Sequence, residues 1–570
     1  MLRKVATIGV DLDNVYDQTL RRIREQEGDR SRLGMEVLMW VSHAERPLRI
    51  DELCHALAVE IEETDLDLEN VRSQDTILGS CLGLAVVDKE TSIVRLIHYT
   101  LQEYLSRPGV LPGAHRTLGQ TCLTYLNYDQ VKGLSADNVS SFGDMPFLEY
   151  SSLHWGRHAK MELSDHAKSL ALELLNQFDN HMSAILLVQK IHYYPPPPYH
   201  FSGLHCASYF GIDEVVGALI ETKDCDINQG DFMGFTPLMW AARQGNQGVV
   251  ALLLAGGNID PDKPGNDGKT PLWWASWNGH EGVVRLLLTR DGTNPDKPKN
   301  GGETPLYQAS SSGHEGIVRL LLTRDDVNPN KPNDDGETPL YQAAWKGHEG
   351  VAKLLLARSD INPNKRNNDG ETPLYQAAWR GHEGVARLLL SRIDINPNKP
   401  DRHGKTPLWW PAWNGCEGVV RLLLSRGDVN PDEPDANGLT PLWAASCNGH
   451  EGVVRLLLAR GDVSPDKLTN CGRAPLWFAS RNGHEGVVRL LLARDEVNPD
   501  KPDINGRTPL WWASAHGHDG TVRLLLARGD VNPDKPDNSG QTPLGIASEN
   551  MHGQIAALLQ PRTAPLSRID

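Results

Sequence analysis

Residues 270–290 read TPLWWASWNGHEGVVRLLLTR, and this motif recurs along most of the chain. Thr-Pro-Leu begins at residues 236, 270, 304, 338, 372, 406, 440, 508 and 542, and Ala-Pro-Leu begins at 474. Successive copies start 34 residues apart, and a degenerate copy at Ser202 brings their number to eleven. A period kept this strictly predicts a repeat architecture in which every copy has the same local structure.

Each repeat predicts two helices followed by an extended loop. A threonine before a proline is a favourable helix start, because the hydroxyl caps free amides and proline at the first position loses no hydrogen bond. Gly279 suits a left-handed helix end, and the residues from His280 onward open a second helix with a leucine-rich face. Residues 294–298 contain two prolines and cannot continue that helix, and Gly302 permits a tight turn before the next repeat.

Two helices, an extended loop and a glycine turn resemble the ankyrin repeat, whose hallmark is Thr-Pro-Leu-His-x-Ala. Two departures are that Trp or Tyr replaces the histidine in most repeats and that the period is 34 residues instead of about 33. The resemblance predicts a mostly α-helical fold, with an ankyrin-repeat solenoid of about eleven 34-residue repeats over residues 200–560 and a tail at 561–570. Because one repeat cannot bury its leucines alone, neighbouring repeats must stack to form the core.

Length and composition restrict the class of protein. A chain of 570 residues exceeds what one core supports, so we expect two or more domains. With 57 basic and 73 acidic residues, the net charge of −16 disfavours nucleic acid or an anionic membrane surface as the main partner. No signal peptide and no membrane-spanning run is predicted. The eight cysteines are scattered, which indicates reduced thiols and a cytoplasmic location, with a nuclear one possible.

The N-terminal part lacks the repeat and predicts a winged-helix-like domain over residues 1–110. Helices are expected at 13–27, 33–43 and 75–82, and another is expected to begin at Asp51. Residues 84–87 and 93–96 are β-rich runs around a four-residue turn, which indicates a hairpin. A helical region is expected at 111–192. Four consecutive prolines then favour a stiff linker at 193–199.

Several N-terminal segments resemble the region that follows the NACHT ATPase core in fungal NACHT–ankyrin proteins, a type similar to the NOD-like receptors. They lie at residues 15–23, 46–48, 96–105 and 150–159, and the last of them reads YSSLHWGRHA. The resemblance implies a relationship to sensors that combine an oligomerising ATPase, a winged helix and a ligand-sensing repeat array.

The sequence contains no Gly-x-x-x-x-Gly-Lys-[Ser/Thr] string, and such a loop is needed to hold nucleotide phosphates and magnesium. We therefore expect a protein that lacks the NACHT ATPase core, is not an enzyme and uses no cofactor. A truncated paralogue and an incomplete gene model remain open. The alternative function is a fragment of a NACHT-type NTPase signalling switch whose P-loop core is missing or encoded upstream. DNA binding is disfavoured, because the predicted helix at 75–82 carries no Lys or Arg.

Comparison of the repeats with one another shows which positions vary. The Thr, Pro, Leu and Gly positions and the leucine run are fixed and serve the stack, whereas the residues seven and eight after the threonine differ. Turn tips such as Lys269, Lys405 and Arg507 vary too. In ankyrin proteins these positions face a concave groove, so the resemblance implies a surface for a protein partner. The candidate partner-binding residues are Trp277, Asn278, Trp345, Lys346, Trp379, Arg380, Trp413, Asn414, Arg481 and Asn482.

Tryptophans at two kinds of position are expected to differ in burial. Trp and Arg are typical anchors of interfaces, and we expect the tryptophans seven residues after the threonine to be exposed, namely Trp277, Trp345, Trp379 and Trp413. The tryptophans three and four residues after the threonine are expected in the core between repeats, namely Trp273, Trp274, Trp409, Trp410, Trp511 and Trp512.

A histidine recurs ten residues after the threonine in most repeats, from His280 to His552. Side chains on successive repeats would lie about 10 Å apart, whereas zinc needs each ligand at about 2 Å. We therefore expect a structural role for these histidines and no metal site. The predicted function is a non-enzymatic scaffold or sensor for a protein partner, without nucleic acid, membrane or small-molecule substrate.

Pro411 lies inside the predicted first helix of its repeat, where other repeats carry alanine, as at Ala275 and Ala343. A proline in a helix interior costs about 3 kcal/mol. We hypothesise that the repeat at 406–439 is a soft joint in the array.

Overall fold

The computed structural model describes residues 12–61, 63–134, 145–191, 200–222 and 225–560. The predicted linker at 193–199 and the predicted tail at 561–570 lie outside these ranges. The chain divides into two parts, Met1–Asn300 and Gly301–Asp570, which we call the first part and the second part. The described residues are mostly α-helical, as the sequence predicts, with a winged-helix region followed by helix pairs in a solenoid-like array.

The N-terminal region of the first part consists of helices and one hairpin. Strands Ala85–Val87 and Val94–Leu96 pair antiparallel with Ala85 opposite Leu96, and Arg49 bridges to Ile93, so the predicted hairpin is confirmed. Short 3-10 helices lie at Leu68–Asn70 and Phe178–Asn180. The α-helices are Leu12–Arg24, Arg30–His43, Ile50–Ala56, Gln74–Ser80, Tyr99–Leu105, Ala114–Leu126, Asp129–Lys132, Leu148–Met161, Asp165–Asn176 and Met182–Ile191.

The helix expected at 75–82 is shorter and is shifted towards the N-terminus. Its cap is Ser73, whose hydroxyl accepts a hydrogen bond from the Thr76 amide at 3.4 Å. Leu82 takes a left-handed φ of 49°, which lies outside helical geometry and follows the helix end. The predicted start at Asp51 is similarly displaced, because Arg49 is the cap residue of the helix Ile50–Ala56.

Aromatic side chains form the core of this helical region and continue into the first repeat. The Trp40 ring lies edge-on to Phe147, with ring centroids 5.4 Å apart. Phe147 caps the helix Leu148–Met161, and Trp155 in that helix lies 5.3 Å from Phe210 between ring centroids. Phe210 belongs to the first helix of the first repeat. The apolar core therefore continues from the helix Leu148–Met161 into the first repeat.

We number the repeats 1 to 11 from Ser202 and call the threonine of each repeat position 0. The first helices are Gly203–Phe210, Pro237–Gln244 and Pro271–Asn278 in the first part, and Pro305–Ser312, Pro339–Lys346, Pro373–Arg380, Trp409–Asn414, Pro441–Asn448, Pro475–Arg481, Pro509–Ala515 and Pro543–Glu549 in the second part. The second helices are Asp213–Glu221, Gln247–Ala255 and Glu281–Thr289, and then Glu315–Leu322, Glu349–Leu356, Glu383–Leu390, Glu417–Leu424, Glu451–Leu458, Glu485–Leu492, Asp519–Leu526 and Gly553–Leu559.

The local chemistry of each repeat is the one that the sequence predicts. The Thr270 hydroxyl accepts from the Trp273 amide at 3.2 Å, and Gly279 ends the helix with a φ of 81°. In the turn before position 0, most repeats have an Asp or Asn whose side chain accepts two backbone amides. Asp401, for example, accepts from His403 and Lys405, both at 2.8 Å. We call these turns the finger turns.

The recurring histidines join neighbouring repeats. The Nε2 atoms of seven of them bond to the backbone carbonyl at position +7 of the preceding repeat, as His450 does to Trp413 at 2.8 Å and His382 to Trp345 at 3.1 Å. Their predicted structural role is confirmed. Within the described ranges, no group of three or more His, Cys, Asp or Glu side chains could hold a metal ion. In the same ranges, no helix combines the length and hydrophobicity needed to cross a bilayer.

Repeat 7 accommodates Pro411 by starting its first helix late. The helix is Trp409–Asn414, two residues shorter at its start than in the neighbouring repeats. The Trp409 amide bonds to the Thr406 carbonyl at 3.0 Å, and the Thr406 hydroxyl is buried without a hydrogen-bond partner. Pro411 therefore falls in the first turn, where a missing N–H is tolerated, and the repeat loses its threonine cap instead.

Candidate functional site

The predicted exposed tryptophans differ in their surroundings. Trp277 is 42% exposed, as predicted, whereas Trp345, Trp379 and Trp413 are half-buried. Trp379 stacks on Trp410 with ring centroids 5.4 Å apart, and Trp413 lies between Trp409 at 5.5 Å and Trp443 at 5.7 Å. The prediction of exposure is wrong for these three, because rings from neighbouring positions cover Trp379 and Trp413, and the Lys346 and Arg380 side chains lie over Trp345 at 4.2 and 5.7 Å.

Four of the six tryptophans predicted in the core are buried, namely Trp273, Trp274, Trp409 and Trp511. Trp410 and Trp512, both at position +4, are half-buried instead. Tryptophan is too large to be covered completely at many sites, and here one edge of each ring stays at the surface. These two rings extend the aromatic surface beyond what the sequence predicts.

The asparagines among the candidates already have a structural use. The side-chain amide of each donates to the carbonyl at position +7 of the preceding repeat: Asn278 to Arg243 at 3.1 Å, Asn414 to Trp379 at 3.2 Å and Asn482 to Cys447 at 2.8 Å. The carbonyls of Arg243 and Cys447 are therefore each bound by an asparagine and a histidine, whereas the histidine position opposite Trp379 is Cys416. All three asparagines are exposed, and sequence comparison could not reveal their bonds, because each bond joins residues 35 apart in sequence.

The cationic candidates lie over aromatic rings. The Lys346 ammonium is 4.2 Å from the Trp345 centroid, and the Arg380 guanidinium is 4.8 Å from that of Trp379. Arg481 lies 5.5 Å from Trp477 and 5.4 Å from Trp512. All three cations are exposed, so the rings hold them in place while their outer sides face solvent.

The finger turns supply further cations that are absent from the list of candidates. Lys405 lies 4.0 Å from the centroid of Trp409 and 4.2 Å from that of Trp410. Arg473 is 4.4 Å from Trp477, and Arg507 is 4.4 Å from Trp511. A signal for them exists in the sequence: position −1 is Lys or Arg in repeats 3, 7, 9 and 10, and each of these carries Trp at +3.

Repeats 4 to 6 carry tyrosine at +3 and build a polar network at the same place. The hydroxyls donate to carboxylates of the next repeat, Tyr307 to Glu337 at 2.8 Å, Tyr341 to Glu371 at 2.7 Å and Tyr375 to Asp401 at 2.8 Å. Burial, reinforced by these carboxylates, raises the pKa of each tyrosine well above its usual range. Position −1 is Glu in repeats 4 to 6 and Lys or Arg in repeats 7, 9 and 10, so the two groups of repeats differ in charge at this position.

Within the first part, a separate aromatic patch surrounds Trp277. Its ring lies 5.2 Å from both Trp273 and Trp274, and the Lys269 ammonium lies 4.6 Å from the Trp274 centroid. The Arg243 guanidinium lies between Trp240 at 5.2 Å and Trp274 at 4.7 Å. Burial lowers the pKa of Arg243. The patch combines the most exposed candidate tryptophan with two cations.

Comparison with known proteins supports the predicted winged helix and the predicted ankyrin repeats. The family model for the GPI inositol-deacylase winged helix domain matches residues 22–111. No curated protein matches the chain. The family model for ankyrin repeats (3 copies) matches residues 204–299, 291–367, 359–435, 428–503 and 495–568, which is more than half of the chain. The chain therefore belongs to the ankyrin-repeat family, whose repeats form a protein–protein interaction module.

Proposed function

We propose that this chain is a non-enzymatic scaffold or sensor that binds a protein partner on the concave face of its ankyrin array. The observation that carries the proposal is a row of half-buried aromatic rings with cations over them. The cations come from positions −1, +7 and +8 of the repeats. These positions vary between repeats, whereas the residues that cap helices and fill the core do not. Variation beside a constant scaffold is typical of a recognition surface.

The chemistry of these positions supports binding and not catalysis. Trp and Arg supply large contact areas and dominate the binding energy of many interfaces. The carbonyl at +7 is held by a histidine and often by an asparagine of the next repeat, as Trp413 is by His450 at 2.8 Å and by Asn448 at 3.0 Å. A surface fixed in this way loses little conformational entropy on binding, which favours affinity.

The test is affinity capture with the full chain and two matched double variants. Lys346→Ala with Arg380→Ala removes two exposed cations of the proposed surface. Arg421→Ala with Arg455→Ala removes two exposed cations of the second helices and changes the net charge equally. We expect the first variant to retain less than about a tenth of the specifically captured partner, since loss of an anchor costs more than about 1 kcal/mol each. Equal capture by wild type and both variants contradicts the proposal.

A second candidate is supported by the match of residues 22–111 to a winged helix domain. In this candidate the chain is part of a NACHT-type NTPase switch, and a P-loop core is supplied from upstream. The test is to read the genomic frame and the transcript upstream of Met1 for a phosphate-binding Gly-x-x-x-x-Gly-Lys-[Ser/Thr] sequence. A transcript that joins such a core to this chain supports the switch, and a transcript that starts at Met1 contradicts it.

A further inference from the structure

Repeats 7 to 10 present a continuous surface of rings and cations, which we call the strip and define by Lys405, Trp410, Arg473, Phe478, Arg481 and Trp512. Trp443 lies 5.2 Å from Phe478, Phe478 lies 4.6 Å from Trp477, and Trp477 lies 5.0 Å from Trp512. Trp410, Phe478 and Trp512 are half-buried, and Arg481 is exposed. The strip therefore offers apolar area and positive charge on one surface.

The cations of the strip differ from most of the arginines at the ends of the second helices in the second part. At the ends of the second helices, arginines pair with aspartates two residues on, as Arg426 does with Asp428 at 2.6 Å and Arg460 with Asp462 at 2.7 Å. Among the residues that the structure describes, Lys405, Arg473 and Arg481 form no ion pair. A protein with a net charge of −16 thus leaves three cations unpaired on one surface.

The acidic groups nearest the strip are already used within the fold. Asp401 accepts the Tyr375 hydroxyl and two finger-turn amides, and Asp503 accepts the Trp512 indole at 3.2 Å together with two amides. Both aspartates are buried and hydrogen-bonded within the fold, so their carboxylates are not available to pair with the cations of the strip. The Arg473 Nε atom is also buried and has no hydrogen-bond partner in the described ranges, so the site lacks an acceptor.

On the basis of the proposed function, we infer that the strip binds an extended acidic segment of the partner protein. Asp or Glu carboxylates of that segment pair with Lys405, Arg473 and Arg481, and its apolar side chains contact Trp410, Phe478 and Trp512. Neighbouring repeats lie about 10 Å apart, which an extended chain spans in about three residues. Lys405 and Arg473 belong to repeats 7 and 9, so about 20 Å and about six residues of an extended chain separate them, and a segment with an acid at every third position places a carboxylate at both. The negative net charge disfavours the denser charge of nucleic acid.

The test measures binding of labelled peptides to the full chain by fluorescence anisotropy. The probe is five copies of Glu-Ser-Leu, and the matched peptides replace Glu with Gln or with Lys. An oligothymidine of the same length tests nucleic acid. We expect the Glu peptide to bind at least tenfold more tightly than the Gln peptide, and the affinity to fall as salt is raised. Binding by the Lys peptide is expected to be the weakest.

Charge-neutralising variants locate the site. Lys405→Gln and Arg481→Gln are each expected to weaken binding of the Glu peptide about fivefold or more, because each removes one cation that the peptide faces. Arg421→Gln makes the same charge change on an exposed residue of a second helix and is expected to leave the affinity unchanged. Equal losses in all three variants would show a general charge effect and overturn the inference.

The remaining outcomes separate this inference from the proposed function. Equal affinity for the Glu and Gln peptides, or tighter binding of oligothymidine, overturns the acidic segment. If a partner is still captured through Lys346 and Arg380, the scaffold function stands without it. If the Glu peptide binds the strip but capture of a partner does not depend on Lys346 and Arg380, binding of an acidic segment is supported. The proposed partner surface at Lys346 and Arg380 is then contradicted.

Discussion

In repeats 4 to 6 the residue at position +3 is tyrosine, and in repeats 7 to 10 it is tryptophan. The two side chains occupy the same place between neighbouring repeats but bond differently to the next one. The Tyr341 hydroxyl donates to the Glu371 side chain at 2.7 Å, whereas the Trp409 indole donates to the Leu439 backbone carbonyl at 3.2 Å. Trp511 likewise donates to the Gln541 carbonyl at 3.1 Å.

The two groups of repeats also differ at position −1 of the following repeat. Glu337, Glu371, Leu439 and Gln541 all occupy this position. Tyr307 and Tyr341 donate to the Glu at this position, and Tyr375 donates to Asp401, since position −1 of its following repeat is Lys405. The Trp409 and Trp511 indoles use the backbone carbonyl of this residue, whereas the indole Nε1 atoms of Trp443 and Trp477, whose following repeats carry Arg473 and Arg507 at −1, have no hydrogen-bond partner among the described residues. After repeats 7 to 10, position −1 is Leu439, Arg473, Arg507 and Gln541 in turn, so the acid that accepts from Tyr307 and Tyr341 is absent where position +3 is Trp.

The largest effect is expected from Glu371→Ala, which removes the acceptor of a buried network. The Glu371 Oε2 atom accepts hydrogen bonds from the Tyr341 hydroxyl, from the Asn367 amide at 2.9 Å and from the Gln376 amide at 2.8 Å. Donors left unpaired in a buried site cost about 1–3 kcal/mol each, so we expect local opening of repeats 5 and 6 to become easier by about 3 kcal/mol. Hydrogen exchange of peptides from residues 338–404 measures this free energy.

The matched change in the tryptophan repeats is Lys405→Ala. It removes a cation over two rings but leaves no buried donor without a partner, so we expect a cost of only about 0.5–1 kcal/mol. Equal losses of protection in the two variants would contradict the distinction between a hydrogen-bonded and a cation–aromatic connection.

High pH should separate the two groups of repeats. The pKa values of Tyr307, Tyr341 and Tyr375 are raised by burial and by neighbouring carboxylates. Because the folded-state pKa exceeds the unfolded one, this stability is complete below about pH 10 and is lost as the pH rises towards the folded value. The expected loss is about 1.4 kcal/mol per tyrosine and pH unit. Tyrosinate absorbance during alkaline unfolding measures it, and Tyr341→Phe should reduce the late-titrating amplitude by one tyrosine.

Repeat 7 lies where the tyrosine repeats meet the tryptophan repeats, and Pro411→Ala tests whether it is a soft joint. The variant lets the first helix begin at Pro407 and lets the Thr406 hydroxyl cap it, which is worth about 1 kcal/mol. We expect exchange at residues 408–414 to slow about fivefold. Ala343→Pro, the same position in repeat 5, should have the opposite effect. Uniform protection across residues 372–470 in the wild-type protein would contradict the soft joint.

The smallest effect on stability is expected from Arg481→Gln. Arg481 is exposed and lies over Trp477 and Trp512 without an ion pair in the described part of the chain. Surface changes of this kind stay within about 0.5 kcal/mol. Denaturant unfolding of the variant should therefore match the wild type, and a loss above about 1 kcal/mol would show that this cation belongs to the structural connection between repeats.

Much of the fold could be predicted because its signals are local. The threonine cap at Thr270, the glycine end at Gly279 and the leucine run of each second helix act within a few residues, and repetition made each signal visible many times. The hairpin Ala85–Val87 and Val94–Leu96 followed from two β-rich runs around a turn. The late start of the helix at Trp409 was not predicted, because it depends on how the chain adapts to Pro411.

The candidate site was only partly predictable from the sequence. Variation between repeats identified Trp345, Arg380 and Arg481, but exposure depends on which rings from the next repeat lie against a side chain. Trp379 is covered by Trp410, which is 31 residues away in sequence. The asparagines at +8 bond to the backbone of the preceding repeat, and these bonds could not be predicted from the sequence.

The sequence alone determined the number of repeats, the helix pairs and the residues that cap them, since these depend on backbone preferences over short distances. The tertiary structure decided which side chains at +3, +4 and +7 cover one another and which cations remain unpaired. These outcomes depend on contacts between residues about one repeat apart, where ring size, hydrogen-bond acceptors and charge compete for the same space. A periodic sequence specifies such contacts only after the repeats are stacked.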